Sequence, residues 1–272
     1  MSIRGVRAVV GVEYMKLAAQ IKTHLLLGMC IVGPFVFAAA VRLQSSLPTD
    51  TLFGRAVKES GFAVSLVVLG FAALWVVPVL ASVVGGDLFA SEDRHGTWKM
   101  VLTRSRSRGE IFAGKLIVAL GFSFVAIDVL AVSSVAAGIV TIGPGSLIDL
   151  SGVVRAPGDA LRRVALAWMS IVPAAFTFTA LAVLLSVVSR SSIVGIGLPV
   201  IAGLTMQLFA MVDGPDVVRR LLITSGFEAW HGLLANPPFY TPLMRGAIVS
   251  AVYFVVCIAI AYNRLRWRDI GG

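Results

Sequence analysis

Six stretches of this chain stay apolar long enough to cross a bilayer, at about 25–41, 61–84, 116–142, 164–188, 193–212 and 246–262. A spanning helix needs about 20 mostly apolar residues, each adding about 1.5 Å. The first and last stretches are short and must extend into their flanks. The third is long enough to tilt or protrude. Pro34, Pro78, Pro173 and Pro199 fall inside these stretches, which membrane helices tolerate with a kink and soluble helices seldom do. With 58% hydrophobic and 14% charged residues in 272, against about 45–50% and about 25% in soluble domains, the composition excludes a soluble enzyme and a disordered chain. The expected fold is all-α: a single polytopic membrane domain over 1–272.

The net charge of +9 follows from topology and predicts no nucleic-acid partner, because the charges lie between the apolar stretches. With the N-terminus inside, 14 of the 23 lysines and arginines fall inside, including Arg264, Arg266 and Arg268. Lys/Arg bias therefore predicts both termini on the cytoplasmic side of a cell membrane. The basic start, first apolar run and Ala38-Ala39-Ala40 imitate a signal peptide, but the lead-in is too long and a retained span is expected. Ile3, Val6, Val10, Tyr14, Leu17 and Ile21 recur at helical spacing, so 3–22 is read as an amphipathic helix in the inner interface. The last outer loop, 213–245, has room for one or two short helices within 217–234.

Catalytic signatures are absent. Gly109 to Leu116 nearly spells a phosphate-binding loop, but Leu116 lacks the hydroxyl that Mg²⁺ requires and no strand precedes it. His24, His95 and His231 are far apart in topology. Cys30 and Cys257 lie alone in apolar runs. No catalytic residue, metal site or bound cofactor is expected.

The inner loop 86–115 is the longest charged inner segment, with Leu88, Phe89, Trp98, Met100, Val101 and Leu102 set among its charges. Such a pattern suits either a partner's groove or anionic lipid headgroups. Asp128 is the one ionisable residue deep in a span, where an aspartate costs about 2.5–3.5 kcal/mol. It is expected to face protein or water, either lining a path or hydrogen-bonding between spans. Thr177, Thr205 and Gln207 are expected at similar depth and are the other path candidates. Phe71, Trp75, Phe176, Phe178 and Phe209 either line a cavity for greasy molecules or pack.

Glu92, Gly96-Thr97, Val101-Leu102, Ser107-Arg108, Glu110-Ile111 and Gly114-Lys115 together resemble the loop between the second and third spans of ABC-2 type transporter permeases. The match covers about 25 residues; Ser105 departs from it, since many members carry proline there. The resemblance implies a complex of two permease chains, identical or not, with two ABC ATPase subunits (nucleotide-binding domains) that hold ATP and Mg²⁺. It implies a coupling helix that docks on the ATPase through Glu92, Gly96, Thr97, Leu102, Arg104, Arg106 and Arg108. Trp98, chosen for its size and setting, is expected to anchor that contact. The expected function is the permease subunit of an exporter for a hydrophobic or amphipathic cargo, such as a drug, an antimicrobial peptide or a lipid-like molecule. The alternatives are a proton-coupled transporter using Asp128 and a nontransporting membrane scaffold.

Overall fold

Backbone groups within lipid must be satisfied inside their own segment, so each apolar stretch becomes a helix. The computed structural model describes residues 2–44, 52–98, 107–211 and 215–267. It contains six helices long and apolar enough to span a membrane. Helix α1 (Ile3–Ala18) precedes the first span, α2 (Ile21–Leu43). The second span joins α3 (Gly61–Phe71), a π-helical turn (Ala72–Val76) and α4 (Val77–Asp87). After the short α5 (Ala90–Arg94) comes the third span, α6 (Arg108–Thr141). The fourth joins α7 (Pro157–Ser170) and α8 (Val172–Ser189), and the fifth is α9 (Ser192–Met211). Helix α10 (Asp216–Leu221) leads into 3-10 turns Ile223–Phe227 and Ala229–Leu234, and the sixth span is α11 (Thr241–Arg266). The sheet among the described residues is one antiparallel pairing, β1 (Leu147–Ile148) with β2 (Val154–Arg155). The chain is an all-helical polytopic membrane protein.

The helices of the first, fourth and sixth spans overrun their apolar stretches at both ends, and that of the third at its start. The sixth begins at Thr241 with a proline in its first turn, and the fourth begins with Pro157, the position where a missing N–H costs nothing. The second and fourth spans are mostly buried, while little of the first, fifth and sixth is buried. The core therefore lies around the second, third and fourth spans. The 3-10 turns before the sixth span are not surface helices. Ile223, Phe227, Trp230 and Leu234 are buried, and Phe178 of the fourth span stacks on Phe227 at 5.6 Å.

Lipid gives no hydrophobic drive for helices to associate, so close backbone approach has to supply packing. Two glycine pairs do so at opposite ends of the bundle. A Cβ on Gly86 would run into the Gly195 backbone, and one on Gly138 would run into Gly61. The second span takes part in both pairs. Its π turn has an identifiable cause. Pro78 has no N–H, so the carbonyl four residues earlier, Leu74 O, loses its helical donor. The side-chain amide of Gln207, from the fifth span, donates to Leu74 O instead.

Gly86→Ala is expected to lower thermal stability by the roughly 1–3 kcal/mol of an overpacked contact. Gly28→Ala is expected to be nearly neutral, because nothing lies within 4 Å of a Cβ there. Melting of the detergent-solubilised chain, followed by size-exclusion recovery, compares them; equal melting points would refute the glycine contact.

Candidate functional site

The expected inner loop starts where the second span ends, and the structure makes each of its described motif residues part of one knot. Helix α5 is only five residues long and needs a firm stop. Gly96 supplies it with φ +63°, a left-handed conformation that favours glycine. Gly96 N–H donates to Asp93 O at 3.2 Å and Thr97 N–H to Glu92 O at 3.0 Å, the pair of bonds that closes a Schellman cap. The Thr97 hydroxyl also donates to the Glu92 carboxylate. The acid and the Gly-Thr pair are therefore spaced by helix-end geometry.

Across the loop, Ser107 opens α6 with a capping box. Glu110 N–H donates to Ser107 Oγ at 3.2 Å, and Ser107 N–H donates back to Glu110 Oε2 at 3.2 Å, satisfying two orphan donors. Glu110 Oε1 accepts from Ser2 N–H at 2.7 Å, and Gly5 leaves the room that its carboxylate fills. One turn on, Gly114 leaves room for Val9. Helix α1 is thus bolted along α6 through Gly5, Val9 and Glu13. Its apolar stripe divides: Leu17 packs inward, while Ile3 and Tyr14 are exposed and stay available to an interface.

At the centre sits Lys115, with only 1% of its side chain exposed. Its ammonium donates to Glu13 Oε2 at 2.9 Å, Glu92 Oε1 at 3.0 Å and Leu88 O at 3.0 Å, which uses all three of its hydrogens. Lys16 adds bonds of 3.1 Å to Glu13 and 3.0 Å to Glu92. Burial alone would push the Glu92 carboxyl up, but Lys115, Thr97 and Lys16 outweigh it and bring its pKa down to about 2. Burial also works against charge on Lys16, and Glu13 and Glu92 reverse that, so its pKa is raised. Beside this cluster Asp87, the last residue of α4, pairs with Lys22, accepts from Ser192 Oγ at 2.6 Å and lies 3.5 Å from Arg94. A cavity of about 750 Å³ opens next to both groups, between α1 and the α4–α5 segment, with Val12, Lys16, Lys22, Leu88, Ser91 and His95 in its wall.

The expected docking residues divide. Glu92 and Trp98 are buried within the chain. Trp98 stacks on Phe89 at 6.4 Å, and Phe89 meets Phe112 of α6 at 5.6 Å. Its size serves an internal joint. Arg108 donates to Leu265 O and Arg266 O at 3.1 and 2.9 Å, capping the C-terminus of the sixth span as a cation should. Gly96 is exposed, with Arg94 and His95 beside it. Leu102, Arg104 and Arg106 lie outside the described residues.

The four expected path residues do not converge. Thr177 is buried and bonds Pro173 O and Ser250 O at 3.0 and 2.9 Å. Gln207 is committed to Leu74 O. Thr205 is exposed and bonds back to Ile201 O at 2.9 Å. Asp128, expected to face protein or water, is exposed on α6 within this chain, on the side away from Ala126, Ile127 and Leu130. Phe71, Trp75 and Phe209 are exposed, Phe176 is half-buried and Phe178 is fully buried. The knot residues that sequence reasoning missed are Glu13, Lys16 and Asp87; Glu110 and Lys115 were picked out as motif residues without a role. A carboxylate and a lysine three apart in α1 are common on any helix surface and carry no signal of a distant partner.

Residues 26–271 match the family described as "Protein of unknown function (DUF2705)", and the chain belongs to that family. It is also 25% identical over 249 residues to "Uncharacterized protein YhcI" of Bacillus subtilis (strain 168), a match covering 84% of this chain and 73% of that protein.

Lys115→Met strands two carboxylates in a buried site, so a loss of about 3–5 kcal/mol is expected, with partial recovery when Glu92→Gln is added. The folded pKa of Glu92 lies below its ordinary value of 4.5. Its contribution is therefore complete above that value and fades as pH falls towards about 2, because the unfolded chain takes up the proton first. Melting temperatures of wild type and Glu92→Gln, taken downward from neutral pH, should converge in acid. A constant gap would refute the assignment.

Proposed function

We propose that this chain is the permease subunit of an ATP-driven exporter and works with a separate ATPase, as the resemblance to ABC-2 permeases implies. The observation that supports the reading best is the knot. It fastens α1, the α5 turn and the starts or ends of the second, third and sixth spans into one body, with the Arg94-His95-Gly96 turn on its surface. A push on that turn is delivered to several spans at once, which is what a transmission element must do.

On this reading the docking contact is made by Arg94, His95 and Gly96 together with Leu102, Arg104 and Arg106. Glu92, Thr97, Trp98 and Arg108 hold that surface in place. ATP and Mg²⁺ belong to the partner, and the chain has no enzymatic activity alone. Both termini are cytoplasmic, and a second permease chain completes the complex. The cargo is hydrophobic or amphipathic. The aromatic face of Phe71, Trp75 and Phe209, with Thr205 nearby in the fifth span, is the surface offered to it. Proton coupling through Asp128 has less support, because that carboxyl points away from the polar groups of the core.

The test is purification of the C-terminally tagged chain from its native membrane in mild detergent. A P-loop ATPase is expected in stoichiometric amount with wild type. Arg94→Ala combined with His95→Glu is expected to reduce it by about tenfold or more with little change in melting temperature, since both side chains are exposed and Arg94 gives up only its 3.5 Å contact with Asp87. A folded chain that carries no ATPase would sink the reading.

A further inference from the structure

Serine, threonine and glutamine side chains in the middle of the spans turn inward or close on their own helix. Ser65 pairs with Ser134 at 2.7 Å and receives Trp168 Nε1 at 3.1 Å, and Ser123 meets Thr179 at 2.7 Å. Thr205, though exposed, is closed by its own helix. Asp128 breaks the pattern. It is exposed on α6 and has no hydrogen-bond or ion-pair partner among the described residues. It lies 13 residues from Lys115 and 13 from Thr141, about 20 Å from each at 1.5 Å per residue. That is the middle of the bilayer. Its neighbours on the same face are Phe124, Val125 and Val132, each at least 40% exposed, and Gly121, where an added Cβ would meet nothing within 4 Å. Such a face looks made for lipid, yet lipid is the solvent that a carboxylate tolerates least.

We infer that this face of α6 is covered by a membrane-spanning helix of a different chain, one that sets a basic side chain or an amide donor against Asp128 at mid-depth. Lipid is excluded by cost. A second copy meeting face to face would set one Asp128 against another, adding repulsion to desolvation. A second copy meeting by another surface offers neither, because among the described residues the lysines and arginines of the spans sit at span ends, and Gln207, the amide within the fifth span, is buried and bound to Leu74 O. Charge complementarity therefore points to a partner unlike this chain. Gly121, about two turns below, permits that helix to approach closely. The inference needs only that the chain spans a bilayer and stands whether or not an ATPase is its partner.

Photo-crosslinking residues placed at Val125 and Val132 of the full chain, in native membranes, test this, with Val255 of the sixth span as a control. Crosslinked peptides are sequenced by mass spectrometry. The expected product at Val125 and Val132, and not at Val255, is a transmembrane helix of another protein with Lys, Arg, His, Asn or Gln at mid-span. Asp128→Leu should reduce that product by about tenfold, and Asp128→Asn should retain more of it. The isolated Asp128→Leu chain should melt no lower than wild type, since Asp128 has no partner within the chain. Crosslinks to a second copy of this chain, crosslinks to lipid alone, or a product insensitive to Asp128→Leu would each overturn the inference.

Discussion

An ammonium group with 1% of its surface exposed, held by carboxylates from two other segments, is the contact on which one end of this molecule depends. Burying Lys115 costs several kcal/mol in principle, and the attraction repays it only when the geometry leaves no hydrogen unused. That requirement explains why the surroundings are so fully specified. Glu92 reaches Lys115 only because α5 ends where it does, which fixes Gly96 and Thr97. Glu13 reaches it only because α1 lies along α6, which calls for Gly5 and Gly114 as the points of close approach. The ion cluster contributes less as net energy than as a selection of one arrangement. A hydrophobic replacement would let α1 slide along α6, since apolar contacts carry no register.

The opposite end is held differently, by backbone bonds and a carboxylate turn. Asp149 accepts from Ser151 N–H and Val153 N–H at 2.9 Å each and from Arg155 Nε at 2.8 Å. Burial works against that charge, but these donors keep its pKa below the ordinary value. Leu150 N–H donates to Leu234 O at 3.0 Å and Arg163 to Leu233 O at 2.6 Å, so the turns before the sixth span are tied to the start of the fourth. Ser60 and Gly61 bond Gly145 O and Gly143 O at 2.8 and 2.9 Å. Both ends thus carry dense polar cross-links, while between them the spans rely on small side chains and single hydroxyl bonds.

The six spans were legible because hydropathy over twenty residues averages out every local exception. The amphipathic first helix was half legible: its apolar stripe is real, but the face that packs is the neighbouring one, with Gly5, Val9 and Glu13, which reads as unremarkable until α6 is laid against it. The motif residues were legible as a pattern and opaque as to cause. A glutamate, a Gly-Thr pair and a lysine more than twenty residues apart do not announce that they share one ion cluster. Trp98 shows the reverse hazard, since a large apolar residue among charges suits an internal joint as well as a partner's groove. Asp128 was read as facing protein or water, and within this chain its side of α6 is the one turned from the core. Direction was in the sequence too. At 100° per residue, Ser123, Ala126, Leu130, Ser134 and Ala137 share one face of α6, and Asp128 falls about 160° from its centre.

Between the two cross-linked ends, the second span is one of the elements in contact with both. It meets the third span through Gly61 and Gly138 at one end and the fifth through Gly86 and Gly195 at the other, and Asp87 joins it to the first and fifth spans. It leaves the α-helical ladder midway in a π turn at Ala72–Val76, as the fourth span does at Ile171 between α7 and α8. Regular helices resist bending because every turn carries its own hydrogen bonds. At the π turn one carbonyl depends on a side chain from a neighbouring span, and such a bond can be remade without breaking a helix. Any displacement of the knot relative to the opposite end must be absorbed somewhere along this span. The π turn carries the exposed Trp75, and Gln207, which bonds it, lies two residues before the exposed Phe209, so a compliant section of the bundle lies where exposed aromatic side chains sit.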